Sequence, residues 1–336
     1  MTMNQIPLVE VTDLKVYFKG SAGILKSRDI KAVDGVSFTI SKGETLGIAG
    51  ESGSGKSTLA RSLIGINKPT SGSIAINGTQ ISSFKNSALR PIRKKLQMVF
   101  QDPYDSLDPR FTIFESISEG LQIRNLAKSE IKDEIANLLQ TVKLPVSLAS
   151  RYPKELSGGQ RQRVAIARAL ATKPDLIICD EAVAALDVSV RAQILNLLQD
   201  IQQESGISYL FISHDLSTLR YISKNVAIMY AGKIVEIGSS DNVLTHPQHP
   251  YTKALISAVP NISGKRGTKI KSVGEPPDPA NLPGGCAFNV RCHDVLPQCS
   301  IETPKLLLNL NDSKVACHAT ANNRNSDSSK GGELHV

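Results

Sequence analysis

The sequence predicts an α/β fold built on a buried sheet, with an inserted group of helices and a small cysteine-rich extension, and three observations carry that expectation. Thr45-Leu46-Gly47-Ile48-Ala49 reads as a buried strand and runs into Gly50-Glu51-Ser52-Gly53-Ser54-Gly55-Lys56-Ser57-Thr58, after which Leu59, Leu63 and Ile64 fall on one helical face. From residue 157 the pattern becomes helix, strand, helix, strand. The runs Leu176-Ile177-Ile178-Cys179 and Tyr209-Leu210-Phe211-Ile212 are too continuously apolar for strands covered on one side only. After Pro260 the chain changes character, with Gly, Pro and Lys dominant to Pro283 and four cysteines following.

Taken in order, Leu8 to Phe18 and Val33 to Ile40 are β-prone, and between them Gly20-Ser21-Ala22-Gly23 with Lys26, Arg28 and Lys31 predicts an exposed loop. Ser73 to Gly78 reads as a short strand with a turn, and Leu96 to Gln101 as another strand. The stretch from Thr112 to about Val142 is helical in pattern: Ile113, Phe114, Ile117 and Leu121 line one helix, and Ile131, Ile135, Leu138 and Leu139 line a second. Val226 to Tyr230 and Lys233 to Ile237, joined at Ala231-Gly232, predict a hairpin closing the domain. The expected organisation is a main domain over residues 1–260 with helices inserted at about 102–172, an extension over 261–320, and a polar, disordered end over 321–336. No internal repeat is visible.

At 336 residues and 40% apolar composition the chain can bury a sizeable core. No run approaches the ~18 uninterrupted apolar residues of a membrane span. Met1-Thr2-Met3-Asn4-Gln5 lacks the features of a secretion signal, so the expected location is cytoplasmic. The net charge of +8 is spread along the chain, and the part from residue 261 holds nine basic and seven acidic residues. This mild charge suits phosphate ligands and a membrane-proximal position. The absence of Trp and the scarcity of other aromatics argue against a base-stacking surface, so no nucleic-acid partner is expected.

The Gly50–Thr58 stretch fits G-x-x-x-x-G-K-[ST] in its required strand-to-helix context. Its glycines let backbone N–H groups turn inward around a polyphosphate, and the helix start places partial positive charge behind them. Lys56 is placed to reach the β- and γ-phosphates and Ser57 to offer its hydroxyl to Mg²⁺. The run into Asp180-Glu181 puts two carboxylates at the C-terminal end of a buried strand, where ligands of parallel sheets collect. Asp180 would hold Mg²⁺, and Glu181 would polarise an attacking water as general base. Leu156-Ser157-Gly158-Gly159-Gln160 opens a helix whose Val164, Ala167 and Ala171 share a face, with Ser157 as N-cap. This is a second anion-binding helix start. One phosphate site does not need two, so the second is expected to serve a nucleotide held by another copy of the fold.

These motifs, with Leu186-Asp187 and His214, resemble the ABC-type ATPase domain in order and spacing over about residues 8–260, and Leu-Ser-Gly-Gly-Gln is highly specific to it. The fold class the resemblance implies is a P-loop NTPase core of ABC type with an antiparallel β subdomain and an inserted α-helical subdomain. It further implies two ATPase domains facing head to tail, with ATP between the phosphate loop of one and Ser157, Gly158, Gly159 and Gln160 of the other. By the same resemblance Phe18 stacks on adenine, with Tyr17 beside it as the competing ring. Gln101 touches Mg²⁺ or the attacking water and connects to the helical subdomain that meets the membrane subunits. Asp187 lies at the dimer seam, and His214 holds the γ-phosphate. One departure is visible: Ala182-Val183-Ala184-Ala185 stands where the family often has Pro-Thr-Ser-Ala, so Ala184 lacks a hydroxyl that could contact the opposing loop.

Cys286, Cys292, Cys299 and Cys317 suggest a soft metal site, although the spacing is not the paired pattern usual for zinc; His293 and His318 could substitute as ligands. His249-Pro250-Tyr251-Thr252-Lys253-Ala254-Leu255, Pro283-Gly284-Gly285-Cys286-Ala287-Phe288 and Arg291-Cys292 resemble the C-terminal extension of ATPase subunits from oligopeptide and dipeptide importers. Gln101-Asp102-Pro103 and Ser106-Leu107-Asp108-Pro109-Arg110 fit the same subgroup. That resemblance implies a [4Fe-4S] cluster on the four cysteines, with Zn²⁺ or free thiols as alternatives. It implies an ATPase that powers peptide import from the cytoplasmic face of the membrane. Its partners would be a paralogous ATPase or a second copy, two transmembrane permease subunits and, indirectly, an extracytoplasmic substrate-binding protein. The competing readings are an importer of nickel, glutathione or cationic peptides and a soluble ABC-type ATPase acting on nucleic acid or the ribosome.

Overall fold

The computed structural model describes residues 6–21, 27–84, 87–101, 106–258, 274–309 and 311–320. The middle of the expected loop between the first strands, Asp102-Pro103, the start of the Gly/Pro/Lys stretch and the polar end beyond residue 320 lie outside the described residues.

In chain order, β1 (Val9–Ser21) and β2 (Ser27–Ile40) precede β3 (Thr45–Ala49) and α1 (Lys56–Leu63); β4 (Ser71–Ile76), β5 (Thr79–Gln80), α2 (Arg90–Lys95) and β6 (Leu96–Val99) follow. The inserted helices are α3 (Ile113–Ile123), α4 (Lys128–Thr141) and α5 (Gly158–Leu170). Next come β7 (Leu176–Asp180), α6 (Val188–Ser205), β8 (Ser208–Ile212), α7 (Leu216–Ile222), β9 (Asn225–Tyr230) and β10 (Lys233–Ser239). Then α8 (Ser240–Thr245) and α9 (Pro250–Ser257) lead to the short strands β11 (Leu307–Leu308) and β12 (Lys314–Val315).

One sheet is four-stranded in the order β2-β1-β4-β5, all neighbours antiparallel. The other has eight strands in the order β11-β12-β10-β9-β3-β8-β7-β6, and β9, β3, β8, β7 and β6 run parallel. Successive side chains of β3, β7, β8 and β9 point to opposite faces. Leu46, Ile48, Leu176, Ile178, Leu210, Ile212 and Met229 pack with α1 and the antiparallel sheet. Ile177, Cys179, Tyr209, Phe211 and Ile228 pack with the helices. Both faces are covered, which is why these strands carry no polar alternation. Each fully buried Leu, Ile or Phe contributes about 1.5–3 kcal/mol.

The helix α3 starts where Thr112 and Glu115 close a capping box: Glu115 N–H donates to Thr112 Oγ1 at 3.2 Å and Thr112 N–H to Glu115 Oε2 at 2.7 Å. Its face of Ile113, Ile117 and Leu121 meets Val164, Ala167 and Ala171 of the α5 segment, all 0% exposed. A Cβ on Gly120 would stand 2.7 Å from that of Ala171, so the two helices meet at a small-residue contact.

Two local expectations are corrected. Much of the expected loop between the first strands is itself strand, since β1 and β2 pair out to Gly20↔Arg28 and Ser21↔Ser27. Backbone pairing already begun by the hairpin propagates past Lys19, Arg28 and Asp29, whose side chains face water. The β9–β10 hairpin expected to close the domain is also not the end of its sheet, because Val315 pairs with Glu236 and the cysteine-rich part adds β12 beside β10 and β11 beside β12.

Candidate nucleotide site

Strand β3 is buried at all five positions and delivers the chain to Gly50. The loop that follows is wedged between β2 and β9. A Cβ on Gly55, whose φ is +102°, would lie 2.0 Å from Ala32 O, and one on Gly50 would lie 2.1 Å from Met229 O. Only glycine fits at either position. The Gly232 N–H donates to Ser54 O at 3.0 Å and Leu59 N–H to Gly55 O at 2.9 Å, so the loop is tied to the β9–β10 turn and passes directly into α1. The first N–H groups of α1 are thereby left facing the loop. Lys56 is 6% exposed, and its ammonium donates to Gly50 O and Glu51 O, both at 2.8 Å, and to Ser54 Oγ at 3.3 Å. Burial lowers its pKa from the ordinary lysine value, with the carboxylates of Glu181, Asp180 and Glu51 opposing.

At the C-terminal end of β7, Asp180 is 7% exposed and accepts from Ser57 Oγ at 3.1 Å. Burial raises its carboxyl above the usual range, and the Ser57 hydrogen bond works against that. Glu181 sits in the left-handed region at φ +50° and donates its N–H to Ile212 O at 3.0 Å, which locks it to the end of β8. A non-glycine residue held there stores strain of order 1–3 kcal/mol, a feature that clusters at functional sites. Its Oε2 lies 3.2 Å from His214 Nδ1, and the His214 side chain is exposed. Lys56, Ser57, Asp180, Glu181 and His214 therefore gather where β3, β7 and β8 end in parallel, at the edge where open α/β sheets bind ligands.

The other sequence-singled residues are distributed around this centre. Ser157 caps α5, accepting from Gln160 N at 3.3 Å while Gln160 Oε1 accepts from Ser157 N at 2.9 Å. Among the described residues, no hydrogen bond joins Ser157–Gln160 to the phosphate loop; Gly158 and Gly159 instead pack toward Leu186 and Val190. Asp187 caps α6 through Val190 N at 2.9 Å and also accepts from Ser189 Oγ at 2.7 Å, contacts that lower its carboxyl pKa. Gln101 is exposed just past β6. Phe18 is 41% exposed, whereas the Tyr17 hydroxyl donates to Asp34 and its ring lies under Lys31 Nζ at 5.8 Å. Arg191, which the sequence reading missed, donates to Leu186 O at 3.2 Å and Asp215 Oδ2 at 2.9 Å, tying the turn before α6 to the one after β8. Its signal was present as the first basic residue one turn beyond Asp187.

In the extension, Cys286 N–H donates to Cys299 O at 2.8 Å and Leu296 N–H to Cys299 Sγ at 3.5 Å. Burial pushes the Cys292 thiol up to about 11, with Cys317, Asp294 and Cys286 adding to it. Burial likewise raises Cys286, with Cys299 and Cys317 adding to it. Among the described residues, no three His, Cys, Asp or Glu side chains are grouped so as to hold a metal ion. His293 pairs with Asp294 at 3.4 Å and His318 Nε2 with Glu302 O at 2.9 Å.

A phosphate loop, paired carboxylates at a parallel strand end and a capped second glycine helix start together define an ABC-type ATPase. The family model described as ABC transporter matches residues 33–184, and that described as oligopeptide/dipeptide transporter, C-terminal region, matches 235–299. The chain is 47% identical over 323 residues to the oligopeptide transport ATP-binding protein AppF of Bacillus subtilis, covering 94% of this chain and 98% of that one. It is 45% identical over 316 residues to the dipeptide transport ATP-binding protein DppF of Haemophilus influenzae, covering 93% and 96%. Its structure resembles a dimeric ATP-binding cassette in a post-hydrolysis state bound to ADP and Pi, with a TM-score of 0.62, 29% identity, and coverage of 69% of this chain and 98% of that one. The chain belongs to the ATP-binding proteins of the oligopeptide/dipeptide group of ABC transporters. The fold is accordingly the P-loop NTPase core of ABC type with its antiparallel β and α-helical subdomains, and the reaction is ATP hydrolysis with Mg²⁺.

Proposed function

We propose that this protein is the ATP-hydrolysing subunit of an importer of di- or oligopeptides, peripheral at the cytoplasmic face of the membrane. It would work with two transmembrane permease subunits and an extracytoplasmic substrate-binding protein. Among the described residues, no helix is long and apolar enough to cross a membrane, which suits a subunit that joins separate membrane proteins. In this reading residues 1–260 are the ATPase domain and 261–320 its extension.

The roles follow from chemistry. Backbone N–H groups of Gly50 to Thr58 hold the phosphates, and Lys56 moves from loop carbonyls to the more strongly accepting β- and γ-phosphate oxygens. Ser57, Asp180 and Gln101 would hold Mg²⁺, which neutralises phosphate charge when bound. Glu181 takes the proton of the attacking water, and His214, 3.2 Å away, orients that carboxylate and holds the γ-phosphate. Phe18 stacks on adenine; its exposure, against the engaged Tyr17, supports that choice. Ser157, Gly158, Gly159 and Gln160, with Asp187, serve the nucleotide of a second ATPase domain facing head to tail, whether a paralogue or a second copy. Closure of the pair would pass through the Gln101 region to the permeases.

The observation that carries this reading is the convergence of Lys56, Ser57, Asp180, Glu181 and His214 at one sheet edge. Glu181→Gln should lower ATP turnover at least about 100-fold while ATP still binds, as removal of a general base does. Undiminished hydrolysis refutes the role. For the extension we propose a [4Fe-4S] cluster on Cys286, Cys292, Cys299 and Cys317, supported by a donor set of four free thiols in the segment that resembles the importer extension, although these side chains are not grouped as a metal site among the described residues. Anaerobically purified protein should be brown and carry iron and sulfide; colourless protein with stoichiometric zinc would decide for Zn²⁺.

A further inference from the structure

The cysteine-rich extension grips the phosphate loop itself. Arg291, the residue before Cys292, has a side chain only 6% exposed and presents both terminal nitrogens to Glu51, the second residue of the loop. Nη1 stands 2.9 Å from Oε2 and Nη2 3.1 Å from Oε1, a bidentate pair. Nη1 also lies 3.3 Å from the Tyr230 hydroxyl, and the guanidinium lies 5.8 Å from the Tyr230 and Phe288 ring centroids. From another side Glu51 N–H donates to the Tyr251 hydroxyl at 2.9 Å, while Glu51 O accepts from Lys56. The rings of Tyr230, Tyr251 and Phe288 pack on one another at centroid distances of 4.5 to 5.4 Å, so this clamp has a rigid base. Arg291 is aimed by the same short turns that carry the cysteines: its N–H donates to Phe288 O at 3.0 Å, and Asn289 N–H donates to Cys286 O at 2.9 Å.

A carboxylate on a phosphate-binding loop is an electrostatic obstacle. Unpaired, it repels a polyphosphate and competes with it for Lys56. We propose that Arg291 is a positioning residue of the nucleotide site. It neutralises Glu51 and pins it away from the concave face of the loop, which makes the extension part of the ATP-binding machinery and not a separate appendage. The inference rests on Gly50–Thr58 being the nucleotide site.

The test is titration of the full-length chain with a fluorescent ATP analogue and Mg²⁺, for wild type, Arg291→Lys, Arg291→Met, Glu51→Gln and the Glu51→Gln/Arg291→Met double variant, with thermal melting as the check of folding. Arg291→Met should weaken nucleotide affinity about tenfold, and Arg291→Lys by a smaller factor. Adding Glu51→Gln should restore most of the affinity lost in Arg291→Met, because the uncompensated carboxylate is gone; a merely structural arginine gives no such suppression. Unchanged affinity in folded Arg291→Met overturns the proposal, as does a defect that persists in full in the double variant. If Arg291→Met does not fold, Arg291→Lys decides: affinity equal to wild type overturns the proposal and a partial loss upholds it. A wild-type chain that binds no ATP overturns the nucleotide reading and the clamp with it, whereas wild-type binding with unaffected arginine variants overturns the clamp alone.

Discussion

Lowering the pH from 7 to 5 should destabilise the wall behind the phosphate loop through His249. This residue is 1% exposed, and its Nδ1 accepts from Tyr251 N at 3.0 Å, capping α9 and orienting the tyrosine whose hydroxyl holds Glu51. Burial depresses its imidazole from 6.5 to about 3, Lys253 one turn later adds repulsion, and a backbone hydrogen bond with Ala316 opposes. The Phe288 ring centroid is 6.0 Å away, and the Glu236 carboxylate accepts from His249 N at 2.9 Å. A folded-state pKa below the unfolded one means no penalty above about 6.5. Below that the unfolded chain takes up a proton that the folded chain refuses, and stability falls with pH until about 3. Each pH unit in that window is worth about 1.4 kcal/mol, so the step from pH 7 to 5 removes roughly 2 kcal/mol. Glu236 is raised by burial, so its contribution runs the other way and grows as the pH falls. His249→Asn keeps a good helix cap and deletes the titration. Urea unfolding at pH 7, 6 and 5 should show wild type losing about 2 kcal/mol more than the variant. Equal slopes in the two proteins would refute the buried neutral imidazole.

Ser57→Ala removes the hydroxyl that meets Asp180 Oδ1 at 3.1 Å, so the Mg²⁺ concentration for half-maximal ATP hydrolysis should rise about tenfold or more, read in a metal titration at saturating ATP. Phe18→Ala should weaken ATP binding about tenfold, in line with the value of a base–aromatic stack, whereas Tyr17→Phe should change it less than about twofold, because that ring faces Asp34 and Lys31; isothermal titration separates the two.

The parallel core was legible because burial on both faces forces uninterrupted apolar runs, as in Leu176 to Cys179 and Tyr209 to Ile212. The phosphate loop was legible because its glycines answer to fixed steric demands, visible in the 2.0 Å that a Cβ on Gly55 would leave to Ala32 O. What escaped depends on pairing between distant segments. Leu307–Leu308 and Lys314–Val315 are two-residue strands, too short for any periodicity, and β10, the partner of the second, lies more than seventy residues earlier. Glu51 and Arg291 are 240 positions apart, and neither carries a local pattern that names the other. His249 enters the sequence reading through resemblance only, since the neighbours that help bury its imidazole, Phe288 and Ala316, are distant in the chain.

On the proposed reading, two ATPase domains meet across the nucleotide. Each half is ordered within its own chain. Ser157 and Gln160 complete a reciprocal cap, Asp187 is held by Val190 and Ser189, and Arg191 fixes Leu186 against Asp215. Ala184 offers no hydroxyl across the seam, but its N–H donates to Glu181 O at 3.0 Å, so the turn it belongs to is set by the chain's own carboxylate strand. Loops already satisfied need no ordering when they associate, and the entropic penalty of closing the pair falls mainly on rigid-body freedom. On that reading the differential contact that favours the closed state comes from the nucleotide, whose γ-phosphate would touch Lys56 on one side and the Ser157 helix start of the partner on the other. Hydrolysis would then remove that bridge while leaving both halves intact, which is the behaviour a subunit needs if it is to open and close repeatedly without refolding.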